Sequence, residues 1–367
     1  MKSETRFFIF LILLLSGLVG LSLFQHKAPP IQPSQQTRAA KRIDPATLTW
    51  NAVEGPRWEK RDSQAVYVFD NKIWVSGGID ADDAKVNGVP NYEAAKYYND
   101  IWNSEDGIVW NKVVDKAEFP PIRSHTVVNF KGALYMIGGW SPAHGLQYKN
   151  GIWKSMNGIN WEKVVEKTDF VDREGQKILE FNGKLWMIGG VNYFGGKTYN
   201  DVWFSDDALR WIQATSSAPW AGRWDHDMDV FQGKLWLLGG MGLHGIGYGD
   251  IWNTADGITW NKVTDLAPWG KRQGQGVVTY GKYMWLVGGL DAKTNEGSGD
   301  TWFTADGIQW YKIPDDTKWL GREDHGVVVF KDKIWVLGGM DSAWHWNNDI
   351  WYTTFGEMGE WFKPTVY

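Results

Sequence analysis

The feature that most constrains this chain is a dozen residues written six times. "NDIWNSEDGIVW" begins at Asn99, and versions of it follow at Asn150, Asn200, Gly249 and Gly299, with a looser copy, "NNDIWYTTFGEMGEW", at Asn347. A second marker keeps the same beat. Gly-Gly pairs stand at 77/78, 138/139, 189/190, 239/240, 288/289 and 338/339, spaced by 49–51 residues after a first interval of 61. Each pair closes an apolar run such as "KLWMIGG", and before it lies another short run across a tight polar turn, the pattern of a β-hairpin. The repeated dozen reads as a second hairpin, with "DG" at its turn. Four antiparallel strands per roughly fifty residues, six times over, predict an all-β fold: a six-bladed propeller of four-stranded blades. In five copies the second Trp follows the first by eight positions, and in the last (Trp351, Trp361) by ten.

The last blade offers two candidates for its outer strand. "TLTWNAV" (Thr47–Val53) resembles "GITWNKV" and is expected to pair with the third strand of blade six near Trp351, in competition with the C-terminal "EWFKP".

The Gly-Gly pair, the downstream aromatic pair and an arginine before each first strand (Arg61, Arg123, Arg173, Arg223, Arg272, Arg322) resemble the kelch repeat, over about residues 47–367. The resemblance implies the propeller fold and, for function, most commonly a scaffold that binds another protein. The Trp of the third strand departs from the usual kelch pattern. The "S-x-D-G-x-x-W" portion is also similar to the Asp-box turn of sialidases, which is structural and lies away from the catalytic face. Galactose oxidase carries a kelch propeller too, but its cysteine–tyrosine cofactor needs a cysteine and this chain has none. No cofactor and no metal site are expected.

Residues Phe7–Phe24 are 18 residues without a charge, behind Lys2 and Arg6. Such a stretch is near the minimum that spans a bilayer of about 30 Å. It reads as one transmembrane helix, a signal anchor within residues 1–24, followed by a flexible Pro- and Gln-rich linker over 25–46 and the propeller over 47–367. The expected location is membrane-anchored with the propeller on the extracytoplasmic side, periplasmic or extracellular, as a monomer. Residues 1–44 hold six Lys/Arg and two Asp/Glu, leaving 32 against 41 in the rest, a net of −9. An acidic body argues against binding a nucleic-acid backbone.

In an up-and-down blade the loops between second and third strands share a face with the segments leading into first strands. The "DG" turns take the opposite face. His125, His226 and His325 start first strands, while His144, His244 and His345 lie in the long loops, so all six fall on the loop face. Counting back 13 residues from each Gly-Gly pair gives Gln64, His125, Gln176, His226, Gln275 and His325, an alternation around the axis. Acids accompany the arginines, among them Asp225, Glu323 and Asp324, and aromatics such as Trp140 and Trp346 stand in the loops.

Long, unequal loops on a rigid scaffold are where binding residues concentrate. The candidate ligand-binding set is therefore Arg123, His125, Arg173, Arg223, Asp225, His226, Arg272, Arg322, Glu323, Asp324, His325, Trp140 and Trp346. Aromatic platforms mixed with charged groups suit sugars, which makes a glycan the expected ligand. Two alternatives stand beside it. One is a sugar-active enzyme, an epimerase, mutarotase or lyase, pairing a His with Asp225 or Glu323/Asp324. The other is a protein–protein interaction scaffold.

Overall fold

The computed structural model describes residues 43–356, apart from Pro56, Leu146, Lys149, Asn150, Lys293, Asn295 and 315–318. The apolar stretch Phe7–Phe24, its linker as far as residue 42, and "EWFKP" lie outside the described residues. Among those described, no helix is long and apolar enough to cross a membrane.

Six four-stranded antiparallel blades form, each in simple up-and-down order. Blade 1 runs Ala65–Phe69, Lys72–Ser76, Ile101–Ser104 and Asn111–Val114 from the innermost strand outward. The innermost strands of the other blades are Arg123–Phe130, Lys177–Phe181, Asp227–Phe231, Gly276–Tyr280 and Gly326–Phe330. Each touches the innermost strand on either side, and blade 6 meets blade 1, so the ring closes. The six largest apolar clusters of the core are each made from two adjacent blades rather than from one. Burial of apolar surface therefore holds blade to blade.

The N-terminal strand Thr49–Ala52 closes blade 6, pairing antiparallel with the third strand in the register Trp50↔Thr353 and Ala52↔Trp351. The register puts Trp50 where every other blade has its second Trp. Trp50 is buried, meets Trp319 edge-on at 5.8 Å, and donates Nε1–H to Thr301 Oγ1 at 3.2 Å. In blade 1 the equivalent pair is Trp110 and Trp58, 4.6 Å apart and edge-on. The sixth Trp thus comes from the beginning of the chain.

The Gly-Gly pairs do two different jobs. The second glycine donates its N–H to a carbonyl at the start of the next blade, as in Gly139 to Arg173, Gly190 to Arg223 and, across the closure, Gly339 to Arg61. The first glycine leaves room for the next blade's Gln or His. A methyl group at Gly189 would lie 2.5 Å from His226 Cε1, and one at Gly338 would lie 3.0 Å from Gln64 Nε2. The repeated turn is self-contained. Ser104 Oγ accepts from the Gly107 amide, Asp106 Oδ1 accepts from the Ile108 and Val109 amides, and Trp110 Nε1 donates to the Gly107 carbonyl.

Five arginines are clamps. Arg61, Arg173, Arg223, Arg272 and Arg322 each grip the Asp of their own blade's repeat (Asp100, Asp201, Asp250, Asp300, Asp349) through both terminal nitrogens. Each also donates to the carbonyl of the first glycine. The third-strand Trp completes the knot, as when Trp203 Nε1 donates to Asp201 Oδ2 at 2.8 Å. Burial alone would raise the Asp100 carboxyl, but the hydrogen bonds and charge of Arg61 outweigh it and hold it below the usual carboxylate range.

Blade 2 breaks the pattern. Ile122 occupies the arginine place, since Gly78 N–H donates to its carbonyl, and the repeat's Asp is replaced by Gly151. Arg123 stands one position later than the other arginines. The chain thereby contains both solutions to one buried site, five ion pairs and one apolar substitute.

Truncating Asp201→Ala should destabilise the fold by about 3–5 kcal/mol, because Arg173 would remain buried and unpaired. The double variant Arg173→Ile/Asp201→Gly, which writes blade 2 into blade 3, should recover most of that loss in chemical denaturation. A double variant as unstable as the single would show that the clamp, and not its unpaired remnant, carries the stability.

Candidate functional site

The loop face is built in tiers around the axis. The first residue after each clamp position forms an upper tier: Asp62, Arg123, Glu174, Trp224, Gln273 and Glu323. Neighbours in this tier bond across blades. Arg123 grips Glu174 through Nε at 3.0 Å and Nη2 at 3.3 Å, and Gln273 Nε2 donates to Glu323 Oε2 at 2.9 Å. Arg123 is the one candidate arginine whose carboxylate partner belongs to another blade. Arg173, Arg223, Arg272 and Arg322 are buried and spend their guanidinium groups on their own blades, so they do not present a carboxylate-binding fork to a ligand.

The alternating Gln and His form the lowest tier, and their role is bracing. Gln64, Gln176 and Gln275 donate Nε2–H to the carbonyls of Leu337, Ile137 and Leu238 in the preceding blades. His325 makes the same reach, with Nε2 3.2 Å from the Val287 carbonyl. His125 Nε2 lies 3.4 Å from Ser76 Oγ. All three histidines are buried, and burial pushes His125 and His325 down to about 3 and His226 well below its ordinary value. No hydrogen bond joins them to Asp225, Glu323 or Asp324. The acid–base pairing expected for a sugar-active site is therefore not assembled from these residues.

Carboxylates crowd the same mouth. Burial first, and then the charge of Asp324, raise Asp62, Asp225 and Glu323 well above their ordinary values, and burial raises Asp324 itself. Asp62 is 4% exposed and its Oδ1 has no hydrogen-bond partner.

The aromatic residues are arranged differently from expectation. Trp140 and Trp346 are buried, 5% and 0% exposed, and do not form open platforms. Trp346 packs against Ala81 and Met340. Trp140 is instead the floor of an aromatic patch: Tyr97 and Phe194 lie 5.3 and 5.6 Å from it, and Tyr193 links Phe194 to Trp224. The Arg123 guanidinium sits between Trp140 and Tyr92, at 5.3 and 5.1 Å. Tyr148 donates its hydroxyl to Glu174 at 2.8 Å, tying the patch to the upper tier. Tyr92, Tyr193 and Phe194 are exposed.

Residues 124–339 match the family model for the KLHDC2/KLHL20/DRC7 Kelch-repeats domain, more than half of the chain. This chain belongs to the kelch-repeat family. A kelch-type assignment agrees with the Gly-Gly pairs, the clamping arginines and the blade order seen above. The spermatocyte protein spe-26 of Caenorhabditis elegans is similar to this kelch chain, 27% identical over 155 residues, which cover 42% of the chain and 24% of that relative. The chain thus spans about a quarter of the length of the curated relative it matches.

Spacing held the signal for the displaced arginine. The other arginines stand three residues before their Gln or His, whereas Arg123 stands two before His125, and "KNGIW" lacks the Asp of "NDIW". Nothing in the sequence marks Tyr193 and Phe194 as exposed and Trp346 as buried, since loop packing decides that.

The brace role of His325 carries a pH test. Its folded value lies near 3, whereas an unfolded histidine titrates near 6.5, so below 6.5 only the unfolded chain takes up the proton and stability falls with pH. His325→Gln installs the residue that blades 1, 3 and 5 already use. Between pH 8 and pH 5 the variant should lose about 2 kcal/mol less stability than the parent chain in denaturant titrations. Equal losses would mean that His325 is not held neutral.

Proposed function

We propose that this kelch propeller is a partner-binding module that captures another protein on its loop face. The observation that carries the reading is the exposed aromatics Tyr92, Tyr193 and Phe194, 40%, 59% and 43% exposed, linked on a rigid ring through Arg123 and the buried Trp140. Aromatic residues dominate interface energetics, and they cluster here above a floor that is already packed. On the opposite face the described turns expose aliphatic residues, Ile108 and Val109 together in blade 1 and single ones such as Ile258 and Ile308 elsewhere, spread around the rim rather than gathered.

A glycan is the second reading, favoured by the same rings lying next to the carboxylates of the mouth. Phe7–Phe24 is proposed to anchor the propeller to a membrane with its loop face outside the cytoplasm.

The full chain, immobilised and crosslinked in extracts of its own cells, should capture partner protein. Tyr193→Ala/Phe194→Ala should reduce capture about thirtyfold, the loss expected for a hot spot of about 2 kcal/mol. Ile258→Ala/Ile308→Ala should leave capture unchanged. The reverse pattern would move the interface to the turn face, and glycan-array binding lost in the aromatic variant without any protein capture would favour the second reading.

Removing residues 1–44 should yield a soluble, monomeric β-protein. A truncated chain that still needs detergent would refute anchoring through the N-terminal stretch alone.

A further inference from the structure

Between the upper tier and the braces lies a middle ring: Ser63, Ser124, Gly175, Asp225, Gly274 and Asp324. All six have left-handed backbones, with φ from 49° to 64°. Five inter-blade hydrogen bonds run along this ring, among them Ser124 N–H to Ser63 O and Asp324 N–H to Gly274 O. Glycine is the least strained residue in this conformation. Blades 3 and 5 use it, and blades 4 and 6 use aspartate. The glycines also clear space for those aspartates. A methyl group at Gly175 would lie 3.3 Å from Asp225 Oδ1, and one at Gly274 would lie 3.1 Å from Asp324 Oδ1. Two carboxylates are thus held over the axis at positions where the local backbone favours glycine.

Beneath them is a cavity of about 90 Å³, lined by this ring and by the Gln and His braces. Gln64, Gln176 and Gln275 spend their amide N–H on carbonyls, and in each the side-chain oxygen is left without a partner. His325 donates from Nε2 to the Val287 carbonyl, so in the neutral ring Nδ1 is a lone pair, and it too is unpartnered. These four side chains are 2–8% exposed. A buried acceptor without a donor is costly. The cavity is therefore lined by four side chains that carry an unpartnered acceptor and by Asp225 and Asp324.

The charge balance points the same way. Glu174 is neutralised by Arg123, and Lys177, which lines the cavity, pairs with Asp227 at 3.2 Å. Asp62, Asp225, Glu323 and Asp324 form no direct ion pair among the described residues, although the charge of Lys177 reaches Asp225 and Asp324 and that of Arg123 reaches Asp62 and Asp324. Ser63 donates its hydroxyl to Asp324 at 3.1 Å and Gln273 donates to Glu323, but neither brings charge.

We propose that this axial mouth binds a primary ammonium group, the Nζ of a lysine presented by the captured protein. The inference rests on the loop face being the partner-binding face. A volume equal to about three waters admits a compact ammonium with the end of its methylene stem. Acceptors arranged around an axis suit its three rotatable donors better than a planar guanidinium fork. A directly ligated metal is disfavoured, because no three His, Asp or Glu of the described residues stand close enough to share one.

The test titrates the full chain with a capped Gly-Lys-Gly peptide, its Nε-acetylated form, capped Gly-Arg-Gly and n-butylammonium. The lysine peptide should bind at least tenfold tighter than the acetylated and arginine peptides. Asp225→Asn and Asp324→Asn keep shape and tolerate the left-handed backbone, so each should weaken lysine binding at least tenfold with the melting temperature preserved. Equal affinity for the acetylated or arginine peptide, or unchanged affinity in both Asn variants, overturns the proposal. Butylammonium binding as tightly as the peptide would retain the ammonium chemistry and overturn the protein as its source. Capture that depends on Tyr193 and Phe194 while lysine binding is absent defeats this inference alone. Capture lost only in the turn-face variant defeats the partner reading, and the titration still stands by itself.

Discussion

One hydrogen bond, handed from blade to blade, sets the terms for the rest of this molecule. The second glycine of each pair gives its N–H to the carbonyl at the start of the next blade, and the sixth gives back to the first. A side chain on that donor would run into its own blade, since a methyl group at Gly78 would lie 2.8 Å from the Asp62 carbonyl and 3.1 Å from Arg61 Cδ, so the position is left to glycine. The first glycine then opens a slot that the next blade fills with Gln or His. Blade-to-blade contact in this propeller is therefore specified twice, by a missing side chain on one blade and a bracing amide or imidazole on the next.

The arginine clamp is a second layer laid over that scaffold, and blade 2 shows that it is dispensable. Ile122 and Gly151 stand where other blades bury Arg and Asp, and the strands of blade 2 pair as theirs do. Replacing a buried ion pair with apolar contact is often neutral, whereas removing one partner is not. That asymmetry explains why the departure involves both residues of the pair. Releasing the clamp also freed the neighbouring position for Arg123, whose charge now serves Glu174 on blade 3.

The architecture was legible because it is periodic. Two markers with one spacing predicted the blades and their order, and the likeness of "TLTWNAV" to "GITWNKV" predicted the closing strand. Individual roles were less legible, because residue type does not reveal burial. A ring of alternating Gln and His looks like a polar site in the sequence and is a set of braces in the fold. Arg272 looks like a carboxylate receptor and is one, for Asp300 of its own blade. Trp361 completes the motif on paper, but Trp50 takes the corresponding place in blade 6.

What the scaffold does not need is where function is best sought. At the middle ring the backbone conformation favours glycine, and Asp225 and Asp324 depart from it, sharing a cavity with Lys177, whose ammonium is already paired with Asp227. Burial first raises the affinity of both carboxylates for protons, and the charge of Asp324 adds to it at Asp225. The like-charge part of that effect favours any other cation that reaches them, against the cost of desolvating it. Stability does not account for such an arrangement, since neutral residues would remove the repulsion and glycine would remove the strain. The carboxylates sit at the axis, and Tyr92, exposed on its loop, lies close enough to feel the charges of Asp62, Glu323 and Asp324. An apolar surface thus borders a negatively charged recess. A chain lying across the rings can place one side chain at the axis, so the two features read as parts of a single recognition surface.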